Sequence, residues 1–451
     1  MHSLYAGNMK QKRSVVFRFQ DMIASLKRAI KRFPDRRTGT NTMYSMTDAA
    51  AGAFSVFFTQ EPSFLSFQQR MQERYGLSNA RTLFGIQDIP TDNHIRNLLD
   101  SVAPDTLTPI FADCFHALSD SGHLNAFRTS IGNNDLLIAL DGTWYFSSDS
   151  IHCKYCSTKT RDGETIYTHG MINPAVVASG NPRVIALPPE FVLPQDGDTK
   201  QDCENKAAKR WITRHKKTYA PFSITILGDD LYCHQPMCQT VRDAGCNFIL
   251  VCKPDSHKTL YEWLKGITEE KIVRRRNGKY CETLTYRFVC NVPLKDGEDA
   301  MTVNWCELTI MREDGKQLYK NAFATNHPVT TDTIETIVAA GRARWKIENE
   351  NNNTLKTKGY HLEHNYGHGK KHLASLLATM NILAFLFHTM LEFMNKMYQL
   401  LRVALGRRDT LFHSIRTMLT FVCFKSFDSL MIFMIEGLKK PHNPATIPVP
   451  V

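Results

Sequence analysis

The chain runs to 451 residues, enough for about three ordinary domains or for one large core with appendages. Its 43% hydrophobic and 22% charged residues lie near globular norms and exclude wholesale disorder. A formal net charge of +11 favours a polyanionic partner, most simply nucleic acid, although charge alone does not decide the matter.

From Gln20 to Phe33 the apolar residues Met22, Ile23, Leu26 and Ile30 recur at helical spacing among Lys27, Arg28, Lys31 and Arg32, which predicts a basic amphipathic helix. Further helices are expected over Asp48 to Phe58, Ser63 to Tyr75 and Thr91 to Leu99, the last capped by Thr91 or Asp92. Residues 1–130 therefore read as a helical N-terminal domain. The texture changes at Leu136-Leu137-Ile138-Ala139-Leu140-Asp141, a short apolar run suited to a strand covered on both faces. Strand-like pieces follow at Thr143 to Phe146, Ile166 to Thr168 and Arg183 to Leu187, read as a three-stranded meander. Next come a helix over Lys200 to Lys217 with Ala207, Ala208, Trp211 and Ile212 on one side, a strand at Ser223 to Leu227, a helix from His234 to Ala244 and a strand at Phe248 to Cys252. That order predicts a mixed α/β sheet over residues 131–255.

Alternation in Thr283 to Val289 and Cys306 to Ile310 marks residues 256–328 as a β-rich insertion. A helix is then expected from about Thr331 through Glu348 to Lys356, within a segment spanning 329–370. Residues 371–451 read as a helical C-terminal region ending in a loose Pro-rich tail from Pro441. Leu373 to Met394 is apolar enough to suggest a membrane span, but Asn381, His388 and Glu392 interrupt it, so a buried core helix is expected and no membrane partner. Met1 to Phe17 lacks the apolar run of a signal peptide, and the twelve scattered cysteines read as reduced intracellular thiols.

Three acids punctuate this order. Asp141 closes one apolar strand, Asp229 or Asp230 closes another, and Glu348 lies in the basic helix. A carboxylate at the C-terminal end of a buried strand is exposed while its backbone is held, which suits a metal ligand; Asp-Gly after a strand is equally an ordinary turn. On a continuous helix from Thr331 to Lys356, Ile334, Val338, Trp345, Asn352 and Leu355 form one apolar stripe of about 100°, with Glu348 inside it and Glu350 opposite. A carboxylate in a buried stripe needs a partner or a cation, so Glu348 is the third candidate and Glu350 a solvated acid. The other reading of Glu348 is a structural ion pair with Arg344 one turn earlier.

Taken together, Leu140-Asp141-Gly142-Thr143, Leu227-Gly228-Asp229-Asp230-Leu231-Tyr232 and Gly341-Arg342-Ala343-Arg344-Trp345-Lys346-Ile347-Glu348 resemble the bacterial insertion-sequence transposases of the DDE class. The similarity covers Leu136 to Lys358, and Thr325-Asn326-His327 and Gly359-Tyr360-His361-Leu362-Glu363-His364 also look like the branch with a β-rich insertion before the catalytic Glu. The resemblance implies an RNase H-like mixed sheet flanked by helices and a catalytic, metal-binding triad of Asp141, Asp229 and Glu348 holding Mg²⁺ or Mn²⁺. The common Asp-x-x-Tyr arrangement matches Asp229 with Tyr232. Related transposases carry a Tyr three positions before the Arg and a Lys seven after the Glu; here Gly341 and Leu355 stand there, with Lys356 next. Implied partners are double-stranded DNA, both element ends and target, and a second copy of the chain on DNA, in a bacterial cytoplasm near the nucleoid. Implied chemistry is cleavage at element ends and attack of the freed 3′-hydroxyl on target DNA. Two rivals remain: a non-cleaving DNA-binding descendant of such an enzyme, and a metal-dependent nuclease of the same fold.

Arg344, Lys346, Lys356 and Arg342 on the third segment, and Lys209 and Arg210 within the cluster Lys206 to Lys217, are the candidate DNA contacts. Arg274-Arg275-Arg276 is a second basic cluster, and either cluster is equally read as a solvated face. The N-terminal helices are the expected DNA-reading part. Finally, His152-Cys153-Lys154-Tyr155-Cys156 with His169 and Cys203 downstream has part of what a structural zinc site needs, but a single close pair makes a reduced thiol pair in a hairpin the plainer reading.

Overall fold

A computed structural model describes residues 18–38, 42–194, 200–266 and 268–439. The readings of Met1 to Phe17 and of the tail from Pro441 lie outside the described residues. The N-terminal helices are α1 (Phe19–Ile30), α2 (Met46–Phe58), α3 (Phe64–Gln72), α4 (Gly76–Asn79), α5 (Asp92–Leu99) and α6 (Thr108–Asp120). Local chemistry sets their starts. The Ser45 side chain accepts the Asp48 N–H at the head of α2, and Thr91 accepts that of His94 at the head of α5, each satisfying a donor the helix leaves open.

Strand β1 (Leu136–Ala139) is buried along its whole length. Beyond it the chain makes β2 (Gly142–Ser148), β3 (Ser157–Arg161), β4 (Glu164–Ile172), β5 (Ala175–Val177), β6 (Ile185–Ala186) and β7 (Glu190–Phe191), then α7 (Lys200–Tyr219), β8 (Ile224–Gly228), α8 (Gln235–Asp243) and β9 (Asn247–Val251). The expected meander is corrected here. Strands β2, β3, β4 and β7 leave the main layer and pair in a four-stranded sheet of their own, while β1 pairs with β5 antiparallel and with β8 parallel. The departure follows from the Asp141-Gly142 turn, after which β2 alternates in burial instead of running buried on both faces.

After α9 (Lys258–Trp263), the strands β10 (Glu269–Asn277), β11 (Tyr280–Pro293), β12 (Thr302–Arg312) and β13 (Gln317–Thr325) form antiparallel hairpins, and β13 pairs with β9. The insertion therefore extends the main sheet, whose order is β10-β11-β12-β13-β9-β8-β1-β5-β6. The architecture is mixed α/β with parallel and antiparallel pairs in one sheet. Arg274, Arg275 and Arg276 lie on the edge strand β10, where exposed charge discourages further pairing.

The remaining helices are α10 (Ile334–Arg342), α11 (Asn353–Thr357), α12 (Leu373–Met394), α13 (Lys396–Leu405), α14 (Arg408–Phe421) and α15 (Phe427–Lys439). Between α10 and α11 the chain makes a π-helical segment, Ile347–Asn352. Helix α12 is long and apolar enough to cross a membrane, yet it is buried inside the protein. Its polar interruptions find partners within the core: Asn381 Nδ2 donates to the Tyr360 carbonyl, although its Oδ1 is buried with no partner among the described residues, and His388 lies between the Tyr360 hydroxyl and the Phe58 carbonyl. One hydrophobic core joins the terminal regions. Phe19 stacks on Phe427, and Asn79 bonds the backbone of Leu419, Val422 and Phe424, so the N- and C-terminal helices support each other.

Candidate active site at the C-terminal ends of β1 and β8

Parallel pairing brings the first two acids together. Ala139 is level with Leu227, and the Leu140 N–H donates to the Leu227 carbonyl, so Asp141 and Asp229 leave neighbouring strands side by side. At the next pair, Asp230 is committed elsewhere. Its carboxylate accepts the Lys253 N–H at 2.7 Å and the Ser256 hydroxyl at 2.5 Å, tying down the loop after β9. Asp229 accepts the Leu231 N–H, and its charge is felt at Asp141.

Glu348 arrives from the π-helical segment. Its carboxylate pairs with Arg344 at 2.7 Å, and its charge is felt at Asp141. The expected stripe holds at Ile334, Val338, Asn352 and Leu355, which are buried, and is corrected elsewhere: Glu348 is 51% exposed in its side chain, Trp345 is 47% exposed, and Glu350 is half-buried. The physical reason is the winding. The helix is interrupted at Ala343 and Arg344, and the wider π turn then departs from the path of a straight α-helix. Asn352 keeps the inward position expected of it, and Asn351 is buried beside it. Asn352 Nδ2 donates to Asp141 Oδ2 at 2.7 Å while its Oδ1 accepts from Asn173 Nδ2 at 2.8 Å, which fixes the rotamer of Asp141. The ion pair with Arg344 and the approach to Asp141 occur together; they are not alternatives.

A fourth acid, Glu204 on α7, was not singled out from the sequence. A Cβ built on Gly142 would lie 2.5 Å from the Glu204 Cδ, so only glycine lets this carboxylate sit against the start of β2. Glu204 occupies the same helical stripe as Ala207, Ala208 and Trp211, all buried, and an acid in such a stripe is the signal that could have found it.

Burial pushes Asp141 up, the charge of Glu348 adds to this, and Asp229 and Glu204 contribute further; Arg344 opposes them, and the carboxyl ends at about 7. Asp229 is also raised, first by burial and then by Asp230, against Arg344, the Leu231 N–H and Lys253. Tyr232 is driven well above its usual range by burial and by Glu204, Asp229 and Asp141, and its buried hydroxyl has no hydrogen-bond partner. Arg344 is the cation common to this group of acids. All the donors facing one another here are hard oxygens with excess negative charge, the set that suits Mg²⁺ or Mn²⁺.

The other basic candidates are placed differently. Arg342 lies over the Tyr319 ring and Lys356 pairs with Glu363 at 2.7 Å. Lys346 is buried with its ammonium over Trp345. Arg210 binds Glu190 and the Phe191 carbonyl, anchoring α7 to β7, and burial lowers the ammonium of Lys209. Gly341 has no room for the Tyr of the resembling transposases, because a Cβ there would lie 2.8 Å from the Phe323 ring. His361 and His364 are exposed. No protein-family model matches the chain, and no curated protein matches it either.

Proposed function

We propose that this protein is a DDE-class transposase with an RNase H-like core, cutting and joining DNA at the ends of an insertion sequence. The observation that carries the reading is the in-register emergence of Asp141 and Asp229 from adjacent parallel strands, with Glu348 close enough to raise Asp141. Asp141, Asp229 and Glu348 share one guanidinium, Arg344, and Glu204 adds its charge at Asp141, an arrangement that is costly unless cations complete it. Magnesium or manganese ions held by Asp141, Asp229 and Glu348 would activate water or a 3′-hydroxyl and stabilise the leaving oxygen.

In this reading the chain's own residues supply position and charge. Asn352 holds Asp141 in one rotamer, and Gly142 admits Glu204 beside it. Arg344, ion-paired with Glu348, would offer its guanidinium to a DNA phosphate. Arg342 and Lys356 flank that contact on the same segment, whereas Lys346, Lys209 and Arg210 serve the fold. The substrate is double-stranded DNA bound by a pair of chains, in the cytoplasm beside the bacterial chromosome.

The test incubates the purified chain and labelled DNA from either flank of its gene with Mg²⁺, alongside Asp141→Ala, Asp229→Ala and Glu348→Ala. Metal-dependent cleavage with joined products, lost in all three variants, is expected. Cleavage that survives in all three refutes the site. Cutting without joining favours the nuclease, and binding without cutting favours the non-cleaving descendant.

A further inference from the structure

Away from the acids, four metal-binding side chains meet at one buried point. Cys153 and Cys156 come from the loop between β2 and β3, His169 from β4, and His368 from the segment that follows α11. The Cys153 and Cys156 sulfurs are 4.0 Å apart. His169 Nε2 lies 3.6 Å from Cys153 Sγ and 3.4 Å from Cys156 Sγ. His368 Nε2 lies 3.4 Å from Cys156 Sγ and 3.1 Å from His169 Nε2. We propose that these four residues form a closed, tetrahedral structural zinc site.

The distances carry the assignment. Zn–S bonds of about 2.3 Å and Zn–N bonds of about 2.0–2.1 Å, set at tetrahedral angles, require roughly 3.8 Å between sulfurs, 3.5 Å between sulfur and nitrogen and 3.3 Å between nitrogens. The observed edges match this set. A disulfide does not explain them, since its sulfurs would be about 2 Å apart. Hydrogen bonding accounts for only part of the cluster: each thiol proton serves a single acceptor, whereas all four ligand atoms lie within 4.8 Å of one another.

The surroundings fit a metal as well. His368 Nδ1 donates to the Gly369 carbonyl at 2.9 Å, which turns the lone pair of Nε2 toward the centre. The N–H groups of Cys153 and Tyr155 each approach a sulfur at 3.4 Å, the pattern that stabilises thiolates. Two thiolates and two neutral imidazoles cancel the charge of Zn²⁺, so the complete site can be buried without a net charge. The His368 segment is itself held, since the Asp100 carboxylate accepts the N–H groups of Lys370, Lys371 and Leu373.

The ligand set differs from the one suggested by sequence spacing. Cys203 is on α7 and is not among the four, and His152 is exposed and stacks on Tyr167. His368 takes their place from 212 positions beyond Cys156. The ion would staple the sheet that begins at Gly142, next to Asp141, to the segment leaving the π-turn helix, next to Glu348. This proposal does not depend on the transposase reading, and its test does not use DNA.

The full chain, produced in zinc-supplemented medium without a polyhistidine tag, is measured for metal content by mass spectrometry. About one zinc per chain is expected, with loss of most of it in Cys156→Ser and His368→Ala and retention in Cys203→Ser and in the ligand swap His368→Cys. Cobalt exchanged into the wild-type chain should show the intense visible bands of a tetrahedral ion and thiolate-to-cobalt charge transfer, a readout independent of whether any variant folds. Wild-type chain without stoichiometric zinc, a weak octahedral cobalt spectrum, full zinc in Cys156→Ser and His368→Ala, or zinc lost in Cys203→Ser would each overturn the assignment.

Discussion

Asp135 enters β1 and Asp141 leaves it, so the same sheet desolvates both; what differs is the company each keeps. Asp135 is fully buried, and burial alone would raise it, but the Ser223 and Thr225 hydroxyls, the Asn247 amide and the Asn133 N–H all donate to its oxygens and hold it below the usual carboxylate range. His327 backs this network with Nε2 at 2.8 Å from the Thr225 hydroxyl, and Asn326 binds Phe248 and Asn247 beside it. Among the described residues Asp141 has one hydrogen-bonding side chain, Asn352, and three acids for neighbours, opposed by Arg344. One end of the strands is a satisfied polar clamp that stabilises the sheet. The other stores electrostatic repulsion that only a cation or a proton relieves, as expected where ligand binding, not stability, has shaped a site.

The largest effect should come from breaking the clamp. Asp135→Ala strands the Ser223, Thr225 and Asn247 donors in the core, and a loss of about 3–5 kcal/mol is expected from urea unfolding. A loss below about 1 kcal/mol would mean that the network is not what secures this edge.

Asp141→Asn should do the opposite. Because the folded pKa of about 7 exceeds the unfolded value near 3.8, the native state binds this proton more tightly. The stability it contributes is complete below pH 4 or so, declines as pH rises through about 7 and then levels off. The Asn variant lacks this decline and keeps the bond to Asn352. Its unfolding free energy should exceed that of the wild type by on the order of 2–4 kcal/mol at pH 8, with the gap closing toward pH 4. Added Mg²⁺ should stabilise the wild type and not the variant. A pH-independent gap would place the repulsion elsewhere.

The same contrast explains what the sequence revealed. Asp141 and Asp229 were legible because apolar strands of fixed length deliver their terminal residues to one edge, whatever the connections between them. Helices α1, α2, α3 and α5 were legible from their apolar period, and α5 also from its Thr91 cap, whereas α6 was not singled out. The excursion of β2, β3, β4 and β7 into a second sheet was not, since strand pairing is settled by contacts distant in sequence. Reasoning from a straight helix placed Asn352 inward correctly but buried Glu348 and Trp345 with it, because no local signal announces a π turn. An acid within a buried stripe is found on α7, where it is Glu204, and not on the segment that carries Glu348. His368 was hidden for another reason: it stands 212 positions beyond Cys156 with no Cys beside it to make a motif, and only folding brings it to the Cys pair.

Gly142→Ala sharpens the comparison at smaller cost. The added methyl would collide with the Glu204 carboxylate, which is the free end of a flexible side chain and can swing away. Stability should change by about 1 kcal/mol or less, since the clash is avoided by a rotamer change. With one acid gone from beside Asp141, the pH at which stability levels off should fall, and stabilisation by Mg²⁺ in a thermal-shift titration should weaken. An unchanged titration would mean that Glu204 belongs to the packing of α7 and not to the acidic edge.

Glu348→Gln should perturb the fold least. Its carboxylate is half in solvent, and an exposed pair with Arg344 contributes about 0.5 kcal/mol or less. The amide also removes one of the charges that raise Asp141, so the net effect on stability at pH 8 should be near zero or slightly favourable. Arg344 would then be left with Asp141 and Asp229 as its acidic partners and should draw closer to them, lowering the Asp141 titration point in NMR carboxyl shifts. The position of that point separates two roles for Glu348. A fall places it inside the acidic group, whereas no movement would make it an ordinary surface partner of Arg344 and leave the edge with Asp141, Asp229 and Glu204 alone.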